Sequence, residues 1–215
     1  MRSSIDHLVV TCANLAQGDE WLTGQLGVTL QPGGRHTTMG THNRLLRLGP
    51  RCYLELIAID PEAATPTRPR WFALDDPTVR ARVATAPFLH TWVAATDDLV
   101  DAVRRVPLLG GIQSFTRNQF SWRFALTDDG AMAFDGLLPA LIQWEANADG
   151  ERLHPAAVLE DRGCELLALE LAHPQAAALL PLYRALRISG PVNLASGPLA
   201  LGARIRTPSG EVLLR

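Results

Sequence analysis

The sequence predicts an α+β fold in which a βαβββ module occurs twice in tandem and a third, partial βαβββ-like unit follows. The main observation is a repeat: the apolar segment of residues 5–10 has a counterpart at residues 88–93, and each has a histidine in its third position. Each copy is followed by a helix pattern and then by three strand patterns. Repetition of whole elements supports a fold more strongly than any single motif does.

The first module is predicted to span residues 1–60. Residues 5–12 have the apolar pattern of a strand, and Asn14 is a suitable N-cap for a helix over residues 15–26, which Gly27 ends. Three further strands are predicted at residues 28–31, 41–48 and 52–59.

The rest of the chain follows the same logic. Residues 61–87 contain five prolines and are predicted to be a linker with a short helix near residues 76–84. The second module, residues 88–148, restarts the pattern with strands at 88–95, 112–116, 121–127 and 140–146 and a helix that begins after Asp98. The partial unit, residues 149–215, has strand patterns at 165–172, 192–194, 199–206 and 211–214 and a helix at 175–186.

Composition excludes several classes of function. The net charge of −2 over 215 residues gives no attraction to nucleic acid or to an anionic membrane surface. No apolar run approaches the roughly 20 residues that cross a bilayer, and no signal peptide is apparent, so we expect a cytoplasmic protein. All 20 basic residues are arginine, which excludes Schiff-base chemistry on lysine and the lysine of a Walker phosphate loop.

Four polar residues occupy related places in the two modules. His7 and His90 lie in the first strand of their module, and Glu55 and Gln143 lie in the last strand. Side chains alternate between the faces of a strand, so each of these residues has apolar neighbours on its own face. A polar group there is costly unless it is paired or ligated. If the two sheets face each other, the four side chains converge into a set of nitrogen and oxygen ligands that suits Zn, Ni, Mn or Fe(II).

These segments resemble the vicinal oxygen chelate superfamily, and specifically its glyoxalase-like domain proteins. The resemblance rests on the order and spacing of four segments, at residues 5–10, 40–45, 53–57 and 89–93. It implies paired modules that form an open mixed β-barrel, a divalent metal and no organic cofactor. In metal-binding members the ligands come from the first and last strands of each module, which here are His7, Glu55, His90 and Gln143.

The fourth of these positions departs from the family pattern, because glutamine stands where glutamate is usual. Glu145 follows two residues later and is predicted to share the same face. Three interpretations remain open: Gln143 ligates with Glu145 nearby, the site holds metal weakly, or the site has lost its metal. With a metal, the resemblance implies stabilisation of an enediolate or similar anion, with Glu145 or Glu55 moving a proton.

Further residues are predicted to contact a substrate. Trp71 in the linker is placed to close over the pocket. His36 is interpreted as a solvated loop residue and His154 as a structural residue. The complete predicted set of substrate-binding residues is His42, Asn43, Arg44, Trp71, Trp92 and Trp122.

Three functions are compatible with these patterns. The first is a metal-assisted lyase, isomerase or dioxygenase acting on a small oxygenated molecule. The second is a metal-free protein that binds or sequesters a small molecule, as drug-resistance members of the superfamily do. The third is a scaffold whose open sheet edges form a homodimer.

Overall fold

The computed structural model describes residues 1–150 and 152–215. Its first module contains α1 (Leu15–Leu26) and four strands, β1 (Ser3–Thr11), β2 (Gln31–His36), β3 (Thr41–Gly49) and β4 (Cys52–Ile59). The linker contains a short 3-10 turn at Trp71–Ala73 and α2 (Pro77–Thr85), as predicted for its second half. The second module contains α3 (Leu99–Arg105) and the strands β5 (Phe88–Thr96), β6 (Gly111–Arg117), β7 (Phe120–Leu126) and β8 (Ala140–Glu145).

Local signals set the first helix as the sequence predicts. The Asn14 side chain accepts a hydrogen bond from the backbone N–H of Gln17, which satisfies a free donor at the helix start. Gly27 ends α1 in the left-handed conformation with φ 70°, which glycine adopts without strain. The α1 prediction of residues 15–26 is therefore confirmed to the residue.

The two modules form one continuous sheet. Within each module the first strand pairs in parallel with the last, β1 with β4 and β5 with β8. The modules are joined by antiparallel pairing of β1 with β5, which gives the order β2-β3-β4-β1-β5-β8-β7-β6 with a short β10 (Ile188–Ser189) beside β1. The sheet is an open half-barrel, so the predicted fold class is confirmed.

Alternation along the strands separates two faces of this sheet. Leu8, Trp92 and Leu141 belong to the core that the sheet shares with the helices, and this core also includes Leu22 of α1 and Leu99 of α3. The neighbouring residues Val9, Val93 and Ile142 belong to a second apolar cluster on the concave face, together with Trp71 and Phe72. The concave face is where a ligand cleft can form.

Two β-bulges interrupt the central β1–β5 pair. Ile5 pairs with Ala94 and His7 with Val93, so Asp6 is an extra residue on β1. Val9 pairs with Thr91 and Val10 with Leu89, so His90 is the matching extra residue on β5. A bulge changes the direction of the side chains around it. Asp6 and His90 are therefore related by the internal twofold symmetry of the sheet.

The C-terminal unit forms a second, four-stranded sheet. Its elements are α4 (Pro155–Val158), β9 (Glu165–His173), α5 (Ala176–Ala185), β11 (Val192–Ser196), β12 (Ala200–Thr207) and β13 (Gly210–Leu214). The strand order is β11-β9-β12-β13, so its first long strand lies inside the sheet and pairs with β12 as well as with β11. Leu169, Leu179 and Ile205 bury themselves in the helix-side core of the first sheet. Among the described residues, no helix has the length and apolar character needed to cross a membrane.

Candidate active site

A small cleft lies on the concave face, where both modules and the linker line it. Its volume, counted as the space open to the centre of a water molecule, is about 30 Å³, which is enough for more than one water. Polar groups and aromatic rings alternate around it. The lining residues are His7, His36, Asn43, Tyr53, Glu55, Trp71, Phe72, Arg117, Trp122, Phe124, Ile142 and Trp144.

His7 is oriented by the bulge residue that precedes it. The Asp6 carboxylate lies 2.6 Å from Nδ1 of His7 and also accepts hydrogen bonds from Trp144 Nε1 at 2.8 Å and from His154 Nε2 at 3.1 Å. Burial raises the pKa of Asp6, but the hydrogen bonds from His154 and His7 outweigh this effect and hold it well below its ordinary value. An ionised carboxylate can only accept, so His7 carries its proton on Nδ1 and presents Nε2 as the free nitrogen.

Glu55 faces the free nitrogen of His7. Its Oε2 lies 3.7 Å from His7 Nε2, and its Oε1 accepts a hydrogen bond from Asn43 Nδ2 at 2.5 Å. Only 4% of His7 and 5% of Glu55 is exposed, so both groups act in a medium where charges interact more strongly than in water. The Tyr53 ring stacks on His7 at 4.6 Å between ring centres and supports its orientation.

Arg117 reaches into the cleft from the end of β6. Its guanidinium donates to Asn43 Oδ1 at 3.1 Å and to His36 Nε2 at 2.8 Å. Because Nε2 of His36 accepts, Nδ1 carries the proton and donates to Thr41 Oγ1 at 3.0 Å. Burial, followed by the charge of Arg117, lowers the pKa of His36 well below its ordinary value. Arg117 is therefore held by two neutral side chains.

The predicted ligand His90 lies outside this cleft. Its Nε2 donates to the backbone carbonyl of Phe72 at 2.7 Å, and its ring packs edge-on against Phe88. Burial, opposed by the hydrogen bond to the Phe72 carbonyl and assisted by the charge of Arg82, lowers the pKa of His90 to about 4. His90 therefore holds the linker against the sheet, and the expected convergence of His90 with His7 is not found.

The expected convergence of Gln143 and Glu145 is not found either. Gln143 Oε1 accepts a hydrogen bond from the backbone N–H of Leu99, at the start of α3 on the helix side of the sheet. Glu145 pairs with Arg123 at 2.9 Å, and both side chains are about one-third exposed. The β8 residues that do enter the cleft are Ile142 and Trp144. The prediction placed the wrong set of alternating residues on the concave face.

The reason is a slip in the alignment of the two copies, by one residue in the first strand and by three residues in the last. By hydrogen-bond register, Leu89 corresponds to Ile5, so Thr91 is the counterpart of His7. Val9 pairs with Glu55 and its counterpart Val93 pairs with Ala140, so Ala140 is the counterpart of Glu55. A slip of one residue exchanges the two faces of a strand. The second module therefore supplies threonine and alanine where the first supplies histidine and glutamate.

Three of the six predicted substrate-binding residues line the cleft, namely Asn43, Trp71 and Trp122. The other three do not. Trp92 is fully buried in the helix-side core and donates to the Leu137 carbonyl at 3.0 Å. His42 and Arg44 alternate with Asn43 along β3 and point to the opposite face, where Arg44 lies 3.5 Å from Asp19 of α1.

Several residues of the cleft were missed from sequence. Arg117 lies at the end of a strand and contacts His36, which is distant in sequence, so no local signal marks the contact. His154 follows the second module and reaches Asp6 only through the tertiary fold. Asp6 directly precedes His7, and an acidic residue next to a histidine in an otherwise apolar strand was the available signal.

The cleft does not fit the four-ligand metal site that the resemblance implies. Of the four predicted ligands, only His7 and Glu55 face each other. Thr91, the counterpart of His7 in the second module, supplies no ligand either, because its hydroxyl donates to the Gly136 carbonyl at 2.7 Å. Among residues 1–150 and 152–215, no group of three or more His, Cys, Asp and Glu side chains is arranged to hold a metal ion. The Arg117 guanidinium in the same cleft disfavours a divalent cation.

Comparison with known proteins agrees with this fold. A hypothetical protein from Staphylococcus aureus has a similar structure, with a TM-score of 0.59 and 12% identity over 93% of this chain and 88% of that chain. Methylmalonyl-CoA epimerase from Streptomyces coelicolor matches with a TM-score of 0.42 and 18% identity, over 66% of this chain and 95% of that chain. No curated protein sequence matches significantly. The family model described as a glyoxalase-like domain matches residues 5–187, and the chain therefore belongs to the glyoxalase-like domain family.

Proposed function

We propose that this protein is an enzyme of the lyase or isomerase type that moves a proton on a small oxygenated substrate. The observation that carries the proposal is the pair formed by His7 and Glu55, whose facing atoms are 3.7 Å apart in a buried cleft. Each member of the pair is held by its own partner, His7 by Asp6 and Glu55 by Asn43. Two titratable groups fixed in this way are suited to act as base and acid on one substrate.

Glu55 is proposed as the base. Asn43 occupies one carboxylate oxygen and leaves the other directed towards the cleft, where it can take a proton from a carbon next to a carbonyl group. The electron pair of the broken C–H bond then forms the carbon–carbon double bond of an enol or enolate. Return of the proton to the same or the neighbouring carbon completes epimerisation or isomerisation.

His7 is proposed to serve the substrate oxygen that gains charge. Nε2 takes the proton of a substrate hydroxyl group and passes it to the neighbouring carbonyl oxygen that gains charge, while Asp6 stabilises the positive charge that His7 carries in between. A positioned acid or base of this kind contributes on the order of 10²–10⁴-fold to the rate. No step requires a divalent ion, since only two of the four family positions supply ligand atoms in the cleft.

The rival function is binding of a small molecule without turnover. It is favoured by the aromatic wall of the cleft, in which Trp71, Trp122 and Trp144 occupy one side. Aromatic rings supply much of the binding energy in small-molecule pockets. This function predicts tight binding that does not depend on Glu55 acting as a base.

Proton exchange in D₂O distinguishes the two functions. Small 2-oxo acids, 2-hydroxy acids and hydroxyketones are incubated with the enzyme, and loss of the C–H signal next to the carbonyl is followed by proton NMR. We expect Glu55→Gln and His7→Gln to lower the exchange rate about 100-fold or more. Glu145→Gln and His42→Gln are the matched controls, because these residues lie outside the cleft. Exchange that survives Glu55→Gln contradicts the proposal, and binding without exchange favours the rival.

A further inference from the structure

The charge of Arg117 has no carboxylate partner close to it. The guanidinium contacts His36 and Asn43, and no carboxylate of the described residues lies within 4 Å of it. His36 is kept neutral by its lowered pKa, and Asn43 is uncharged. A half-buried guanidinium held only by neutral groups remains available to an anionic ligand, and its planar fork matches a carboxylate.

A second donor lines the same cleft. The indole N–H of Trp71 has no hydrogen-bond partner among the described residues. It is also shielded from water, since only 5% of this residue is exposed. The Trp71 ring packs edge-on against His36, 4.9 Å between ring centres, which places it beside the Arg117 site. A buried donor without a partner costs free energy, and a ligand that accepts from it removes that cost.

An apolar cavity adjoins the cleft on the other side of the linker wall. Its volume, counted in the same way as that of the cleft, is about 40 Å³, and none of its lining side chains is ionisable. Trp71, Phe72 and Phe124 line both cavities. This cavity is the second module's counterpart of the cleft, because it contains Thr91 and Ala140 at the positions of His7 and Glu55.

The wall between the cavities is held in a strained conformation. Phe72 and Ala73 have φ values of 56° and 51°, in the left-handed region that residues other than glycine rarely adopt. The hydrogen bond from His90 to the Phe72 carbonyl fixes this conformation. The structure thus keeps one aromatic wall in contact with a polar cavity and with an apolar cavity.

We propose that the substrate is a small carboxylate that carries a short apolar chain. Its carboxylate binds Arg117, its reactive carbon lies against the pair formed by His7 and Glu55, and its chain runs beside Phe72, which lines both spaces, into the apolar cavity. The inference rests on the proposed function for the reactive carbon, whereas the recognition of the two ends depends only on Arg117 and the apolar cavity.

The test is equilibrium binding of the full-length protein to propanoate, butanoate and hexanoate, and to hexanamide as the uncharged analogue. Tryptophan fluorescence reports binding, since Trp71 and Trp122 line the cleft. We expect affinity to rise about fourfold for each added methylene, the value for transfer of a methylene to an apolar site. We expect hexanoate to bind more than tenfold tighter than hexanamide, because hydrogen bonds to a charged group are stronger.

Two variants assign the ends of the ligand. Arg117→Gln should reduce hexanoate binding more than tenfold and leave hexanamide binding unchanged, whereas Arg123→Gln, on the neighbouring strand and paired with Glu145, should change neither. Ala140→Leu should fill the apolar cavity and abolish the dependence on chain length, and Ala81→Leu on an exposed helix position is its control.

The inference is overturned if none of the acids binds at millimolar concentration, if acid and amide bind equally, or if affinity does not depend on chain length. These measurements require no turnover. Carboxylate binding with the expected pattern, together with unchanged proton exchange in His7→Gln and Glu55→Gln, would refute the proposed reaction and leave the ligand class standing.

Discussion

Replacement of Asp6 by asparagine is the most informative single change in this protein. The Asp6 carboxylate is fully buried and accepts hydrogen bonds from His7, His154 and Trp144, which come from three separate parts of the chain. Asparagine has nearly the same shape, but its amide nitrogen donates and cannot accept. His7 can then pair with the amide nitrogen only by moving its proton from Nδ1 to Nε2, and in the other orientation of the amide two donors face each other inside the core.

The expected loss of stability is large. Removing one partner of a buried charged network costs about 3–5 kcal/mol, because the remaining polar groups stay buried without compensation. For a chain of this length each kcal/mol corresponds to about 2–4 °C in melting temperature, so Asp6→Asn should lower the melting temperature by roughly 6–20 °C. Circular dichroism during thermal unfolding at pH 7 measures this change.

The pH dependence gives an independent check. The folded pKa of Asp6 lies below its unfolded value, so its contribution is complete above the unfolded pKa of roughly 3.9 and is lost as the pH falls below it. The wild type should therefore lose stability between about pH 5 and pH 3 more steeply than Asp6→Asn does. Asp128→Asn, at an exposed position, is the control. An Asp6→Asn melting temperature within 2 °C of the control would refute this account of the network.

Three further predictions concern residues and ions near the cleft. Saturating Zn, Ni, Mn or Fe(II) should leave the melting temperature unchanged, because the described residues offer no group of three ligands. A specific site at 100 times its Kd would add about 2.7 kcal/mol, so a rise of several degrees in calorimetry would contradict this ligand geometry. His90 alone should make the wild type lose about 3 kcal/mol of stability as the pH falls from about 6.5 to 4, because the unfolded chain takes up the proton that folded His90 excludes. His90→Leu should therefore show a flatter profile in urea titrations, and identical profiles would contradict the assignment. Gln143→Ala should lower the free energy of unfolding by about 1 kcal/mol, because the Leu99 N–H loses its partner. Proton exchange should stay at the wild-type rate, and a large loss of exchange would restore Gln143 as a candidate site residue.

The elements of the fold are largely readable from the sequence because their signals are local. Asn14 and Gly27 bound α1, and the prolines around residues 61–87 separate the two modules. The apolar periodicity of the strands is preserved through the second module and the C-terminal unit. The strand order inside the C-terminal sheet differs from that of the modules, since β9 lies between β11 and β12, whereas β1 and β5 each pair with the last strand of their own module. Pairing partners leave no local trace in the sequence.

The structure brings together only part of the predicted site. Of the predicted residues, His7, Glu55, Asn43, Trp71 and Trp122 line one cleft. The second half failed because the two histidines match in sequence but differ in register by one residue. A β-bulge adds a residue without changing the apolar pattern enough to be noticed, and the alternation of faces then reverses.

The sequence specifies the duplicated fold and puts one histidine and one carboxylate in the first and last strands of the first module, because apolar periodicity and caps act over short distances. Only the tertiary structure decided which side chains share the cleft. Bulges at Asp6 and His90 set the register, Arg117 reaches the cleft from a segment distant in sequence, and His154 reaches Asp6 in the same way. The same contacts leave the second module with an apolar cavity in place of a second polar site.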